Sequence, residues 1–174
     1  MKVPLLDLKS QYQSIKKEIL AATEAVYESQ YFILGQTVTD LEQAIAKYCN
    51  TDYAVGVSSG SDALIIALMA ADISTDDIIL TTPYTFFATA GAISRLGAKP
   101  AFVDIDPLTF NIDPNLLDST MAKLSSSEQE RVKAIIPVHL YGQSADMDPI
   151  MEFAKKHDLI VVEDAAQAIG TEYQ

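Results

Sequence analysis

The stretch Ile78-Ile79-Leu80-Thr81-Thr82-Pro83-Tyr84-Thr85-Phe86-Phe87-Ala88-Thr89-Ala90-Gly91-Ala92-Ile93-Ser94-Arg95-Leu96, followed shortly by Pro100-Ala101-Phe102-Val103-Asp104-Ile105, decides the fold class. Its opening is apolar and β-branched, its middle predicts a helix over 85–96, and its end is a second β-rich run over 100–105. Strand, helix and strand in immediate succession make the crossover that joins parallel neighbours in a sheet. Upstream the same alternation starts with a predicted strand at Tyr53–Ser58 and a helix at Asp62–Ala71. Downstream it continues with a helix at Pro114–Leu124, a strand at Val132–Val138, a helix at Pro149–His157 and a strand at Leu159–Glu163. Asp113-Pro114 and Asp148-Pro149 each set a carboxylate cap before a proline at the first helical position. Strands that are apolar on nearly every residue are buried on both faces. The expected fold is therefore α/β, a mostly parallel sheet with helices on both faces.

Two helices precede every predicted strand. Tyr12, Ile15, Ile19, Ala22 and Val26 recur at helical spacing over Gln11–Tyr27, and Tyr31-Phe32-Ile33-Leu34-Gly35 breaks the pattern. A second helix is expected from Thr39, where Thr39 and Glu42 have capping-box spacing, with Leu41, Ala44, Ile45 and Tyr48 as its buried face. The expected organisation is a helical arm over 1–51 and a sheet-bearing domain over 52–174. Ser125-Ser126-Ser127-Glu128-Gln129-Glu130-Arg131 reads as a polar surface loop, and no internal repeat is visible.

Composition narrows the partners. In 174 residues, 24 Asp and Glu against 12 Lys and Arg give a net charge of −12, which repels phosphate backbones and anionic lipid and argues against nucleic acid and membrane. The longest apolar run, Ala63–Ala71, is far short of the roughly 20 residues a membrane span needs, and no secretory signal is visible at Met1–Asp7. The single cysteine, Cys49, reads as a small half-buried hydrophobe, and with no internal disulfide possible the expectation is a reduced, cytoplasmic, soluble protein.

In a parallel sheet the strand carboxyl ends share one edge, where ligands bind. Ser59-Gly60-Ser61-Asp62 follows the first predicted strand, Pro83-Tyr84-Thr85-Phe86 the second, His139 the fourth and Asp164 the last. Each has a bland and a functional reading. The turn at Gly60, Ser61 and Asp62 is either an ordinary helix cap or a phosphate cradle of free amides at a helix N-terminus, although Asp62 adds negative charge there. Neither a Walker nor a dinucleotide glycine fingerprint is present, which disfavours an NTPase or a nucleotide-binding Rossmann protein. Phe86 is either core or a ring-stacking platform, and Asp164 either a helix cap or the partner of a ligand's cationic nitrogen. His139 is either a satisfied structural histidine or a catalytic one. His157 suits the negative end of a helix.

Taken in order, Tyr31–Gly35, Ser59-Gly60-Ser61-Asp62-Ala63-Leu64, Pro83–Thr89, Pro137-Val138-His139-Leu140-Tyr141-Gly142 and Val162-Glu163-Asp164-Ala165-Ala166-Gln167-Ala168 resemble the DegT/DnrJ/EryC1/StrS family of pyridoxal-phosphate-dependent sugar aminotransferases. The resemblance runs from Leu5 to Gly170 and implies part of the large domain of fold-type I pyridoxal-phosphate enzymes. It implies a homodimer that transfers an amino group from an amino acid, glutamate or glutamine, to a nucleotide-linked keto sugar. By the same resemblance Gly60, Ser61 and Asp62 would bind the cofactor phosphate and Phe86 would stack on its ring. Asp164 would pair with the ring nitrogen and Gln167 would hydrogen-bond the ring's 3-hydroxyl oxygen. His139 would sit near the ring or support it from behind its direct contacts, and Tyr31–Gly35 would line the substrate entrance.

Family members carry a Ser-x-x-x-Lys segment some tens of residues beyond this point, with the Schiff-base lysine. The last lysine here is Lys156, ahead of Asp164, so no catalytic lysine is assigned. The expectation is the N-terminal part of a longer enzyme, inactive alone, whose sheet leaves edges unpaired between Tyr53–Ser58 and Leu159–Glu163. Two alternatives stay open. One is the related sugar dehydratase, in which histidine replaces that lysine; the other is a non-catalytic chain that binds cofactor or dimerises.

Overall fold

The computed structural model describes residues 6–173, so Leu5 and Gln174 lie outside the described residues. The chain divides into two compact units at Gly56/Val57. The first holds α1 (Leu8–Ser29) and α2 (Gln36–Tyr48). Asp7 caps α1 by accepting from the Ser10 N–H at 3.1 Å. The apolar row predicted on this helix is present, but α1 buries none of it: Tyr12, Ile15 and Ile19 are exposed. The helix α2 starts earlier than the capping-box spacing predicted, at Gln36 with Gly35 as N-cap, so Thr39 falls inside the helix. Glu42 does not close a capping box; its carboxylate instead accepts from the Gly56 N–H at 2.7 Å. Leu41 and Tyr48 of the predicted buried face are exposed, and Cys49 is exposed rather than half-buried. Tyr31, Phe32, Ile33 and Leu34 are exposed too, with Phe32 set edge-on to Tyr27.

The second unit contains, in order, α3 (Gly60–Ala70), β1 (Ile78–Thr81), α4 (Ala88–Arg95), β2 (Lys99–Phe102), α5 (Leu117–Ala122), α6 (Ser126–Gln129), β3 (Val132–Ile136), α7 (Met147–His157) and β4 (Ile160–Val161). The strands form one parallel sheet in the order β2-β1-β3-β4, with Leu80 level with Ala101 and Ile135. Successive residues of β1 point to opposite faces and enter different cores. Ile78 and Leu80 pack with Leu117, Met121, Ile150 and Phe153 from α5 and α7. Ile79 packs with Leu64, Leu68, Ala92 and Ile93 from α3 and α4. Helices thus cover both faces, as the nearly continuous apolar runs of β1 and β3 require.

Three local expectations are corrected. Tyr53–Ser58 is not a strand: it has no ladder partner among the described residues, and Tyr53 is 87% exposed. Apolar alternation needs a neighbouring backbone before it becomes a strand. Ser125–Arg131 is not wholly loop, because the Glu128 carboxylate accepts from both the N–H and the hydroxyl of Ser125, which closes a capping box and starts α6. Helix α7 begins at Met147, ahead of Asp148-Pro149, so Asp146 rather than Asp148 precedes it. Asp113 does cap as expected, accepting from the Asn115 N–H at 2.9 Å ahead of a 3-10 turn at Pro114–Leu116.

Candidate functional site

The sheet order places the site. From β1 the chain crosses to β2 on one side and later to β3 on the other, so the crevice at the carboxyl ends of β1 and β3 is a topological switch point. An open cavity of about 210 Å³ lies there, lined by Gly60 and Ser61 of α3, Thr85 and Phe86 after β1, Leu140 after β3, and Asp164 and Gln167 after β4. Five of the six cofactor-facing residues expected from sequence therefore share one cavity. Asp62 does not line it.

Helix α3 supplies amide donors at the cavity wall. Ser59 caps the helix, accepting from the Asp62 N–H at 3.1 Å, while the N–H groups of Gly60 and Ser61 head the helix without intrahelical partners. A Cβ added to Gly60 would meet nothing within 4 Å, so the backbone here opens onto free space. The capping and cradle readings of this turn are compatible, because different groups serve them. The Asp62 carboxylate accepts from both the Ser58 and Ser59 hydroxyls, and the Ser58 bond, then the Ser59 bond, hold it below the usual carboxylate range. A depressed native pKa contributes stability above the unfolded pKa and loses it as pH falls through the native one. Ser58→Ala is therefore expected to be less stable than the parent at pH 7, and the gap should close as Asp62 protonates in acid. Urea unfolding at pH 7 and in acid would check this; a pH-independent gap would contradict it.

Phe86 is 72% exposed, which excludes the core reading and leaves an aromatic face free at the cavity. Asp164 is only 8% exposed. Its backbone is fixed beside Val138 as an extension of the β3–β4 ladder: its N–H donates to Pro137 O at 2.9 Å, and its carbonyl accepts from the His139 N–H at 3.0 Å. Its Oδ2 accepts from the Thr89 hydroxyl at 2.7 Å, whereas Oδ1 has only the Ala166 N–H at 3.4 Å. No lysine, arginine or histidine forms a salt bridge with it among the described residues.

Gln167 has its amide oriented by the chain. Its Oε1 accepts from the Tyr141 N–H at 3.0 Å, which leaves the NH2 group free to donate. Tyr141 makes that contact from a left-handed conformation, φ 56° and ψ 22°, and its hydroxyl lies 3.2 Å from that of Tyr84. This phenol pair raises the Tyr141 pKa. Buried Asn111 pins the same turn, accepting from the Leu140 N–H and donating to Gln143 O.

His139 resolves to the structural reading. Its Nδ1 accepts from the Ala145 N–H at 3.0 Å, so Nε2 carries the proton and donates to Glu163 Oε2 at 2.7 Å, and the ring does not line the cavity. His157 packs on Phe153 at the end of α7, 3.8 Å from Asp118. Sequence reasoning assigned no role to Thr89, Asn111 or Tyr141. The Thr85/Thr89 spacing, two hydroxyls one helical turn apart, was the available signal for the first.

Over 173 residues the chain is 53% identical to a Geobacillus stearothermophilus protein named "Pleiotropic regulatory protein", covering 99% of this chain and 45% of that one. It is 42% identical over 172 residues to the Pseudomonas aeruginosa UDP-2-acetamido-2-deoxy-3-oxo-D-glucuronate aminotransferase, covering 99% of this chain and 46% of the relative. The crystal structure of NtdA from Bacillus subtilis with bound cofactor PMP superposes with a TM-score of 0.89 at 33% identity, over 97% of this chain and 38% of that one. The chain thus spans about half the length of the curated relatives it matches. Residues 13–174 match the aminotransferase family that unites such proteins, and the chain belongs to the DegT/DnrJ/EryC1/StrS aminotransferase family.

Proposed function

We propose that this chain forms the cofactor-holding wall of a pyridoxal-phosphate-dependent aminotransferase that moves an amino group from glutamate or glutamine to a nucleotide-linked keto sugar. The observation that carries the reading is Asp164. A nearly buried carboxylate with one oxygen weakly engaged and no cation paired with it among the described residues is costly unless a cationic group arrives. A ring nitrogen that bears a proton is such a group. The other donors suit the same ligand: two free amides at a helix N-terminus for phosphate, an exposed aromatic face for a ring, and an oriented amide NH2 for a ring oxygen.

When bound, pyridoxal phosphate supplies an electron sink for the carbanion formed in amino transfer. Asp164 would hold the proton on the ring nitrogen through Oδ1. Gly60 and Ser61 would bind the phosphate through their N–H groups, while Asp62 stays tied to Ser58 and Ser59 and acts on the turn rather than on the ligand. Phe86 would cover one ring face, and Gln167 would donate to the 3-hydroxyl oxygen. Amino transfer is favoured over dehydration because the 42% identical relative is named an aminotransferase. The exposed apolar row on α1 supports a homodimer, and no described helix is long and apolar enough to cross a membrane. We place the activity in the cytoplasm, the expectation from cysteine usage.

The test is amino transfer by the intact protein, read as 2-oxo acid released from glutamate or glutamine in the presence of nucleotide-linked keto sugars. The 174-residue chain mixed with pyridoxal phosphate is expected to give no borohydride-trapped lysine adduct, since none of its described lysines lines the cavity. A trapped adduct at one specific lysine of this chain would overturn that assignment.

A further inference from the structure

We propose that Thr89 is the positioning residue for Asp164, fixing the carboxylate so that Oδ1 faces the bound cofactor; this rests on the cofactor reading above. Thr89 is fully buried on the first turn of α4, and its hydroxyl lies 2.7 Å from Asp164 Oδ2, across 75 residues of chain. Thr85 Oγ1 lies 2.9 Å from Thr89 Oγ1. The direction of this relay follows from valence. An ionised carboxylate only accepts, a threonine hydroxyl has one proton, and so Thr89 donates to Asp164 while Thr85 donates to Thr89. Each bond polarises the next.

The relay acts on the only freedom Asp164 retains. Its backbone is locked to Pro137 and His139, so the remaining motion is rotation of the side chain. A bond to Oδ2 sets the plane of the carboxylate and leaves Oδ1 as the oxygen for the ring nitrogen. Because Thr89 sits on α4 and Asp164 at the end of β4, the bond also joins two walls of the cavity. A charged ligand partner needs such support to be held within a fraction of an ångström.

The experiment is titration of the intact protein with pyridoxal phosphate, reading both dissociation constant and absorption spectrum of the bound cofactor, for Thr89→Val, Thr89→Ser, Thr85→Val, Asp164→Asn and the Thr89→Val/Asp164→Asn pair. Loss of the hydroxyl in Thr89→Val is expected to weaken binding about tenfold and to shift the spectrum towards the unprotonated ring. Thr89→Ser, which keeps the donor but loses the methyl, should stay within about twofold. Thr85→Val, at a half-buried site, should weaken binding about twofold to threefold, and this arm stands even if Thr89→Val does not fold. In the Asp164→Asn background, Thr89→Val should add little. A silent Thr89→Val, a Thr89→Ser as damaging as Thr89→Val, or a full Thr89→Val effect without Asp164 would overturn the proposal. An Asp164→Asn protein with parental affinity would instead overturn the cofactor reading, and the proposal with it.

Discussion

Asp164→Asn in the intact protein is expected to lower amino-transfer turnover by roughly 10²–10⁴-fold while leaving the fold intact. The magnitude follows from breaking one side of a buried ion pair, which costs about 3–5 kcal/mol. The affected pair would exist only with cofactor bound, so the loss falls on the loaded enzyme. Without cofactor the same substitution removes an uncompensated buried charge, and the asparagine can still accept from Thr89 and keep the contact to α4. Thermal unfolding of the cofactor-free protein should therefore show a midpoint equal to or above the parent's, alongside the fall in turnover. Equal turnover in both proteins would contradict the role of Asp164, and a collapse of the cofactor-free midpoint would show that its role is structural.

Ile79→Ala is expected to destabilise the second unit by about 2–5 kcal/mol, the range for large-to-small changes in a closed core. Ile79 is wholly buried in the inner strand β1 and packs against Leu64 and Leu68 of α3 and Ala92 and Ile93 of α4. Its side chain cannot be replaced by solvent or by a neighbour without moving a helix that carries part of the cavity wall. Against a typical domain stability of about 5–15 kcal/mol the change is large. Urea unfolding should show a lower midpoint with an unchanged slope. A shift below about 0.5 kcal/mol, the size seen at surface sites, would mean that β1 is not the centre of the packed structure.

Much of this architecture was legible because its signals are local. The runs Ile78–Leu80 and Ala134–Ile136 are apolar on successive residues, which only burial on both faces explains, and the observed cores divide between those faces. The strand-end positions were legible for a related reason: in a parallel sheet the residues after the strands land on one edge, so Phe86 and Asp164 line one cavity, and Gln167, which the family resemblance alone singled out, lines it too. What failed depended on partners that local spacing does not reveal. Tyr53–Ser58 has strand composition but no ladder among the described residues, and Glu42 has capping-box spacing but bonds Gly56 instead. The buried polar groups Thr89 and Asn111 had partners that spacing could not name: the Thr85/Thr89 interval marks a pair of hydroxyls, but Thr89 bonds Asp164 and Asn111 bonds Leu140 and Gln143, all distant in sequence.

Whether these elements assemble the wall of a pyridoxal-phosphate site is decided by a crystal structure of the intact protein grown with pyridoxal phosphate. The expected arrangement has the ring nitrogen within hydrogen-bond distance of Asp164, the phosphate on the N–H groups of Gly60 and Ser61, and Phe86 against one face of the ring. A ring bound with its nitrogen away from Asp164, or a cofactor seated outside this cavity, would contradict it.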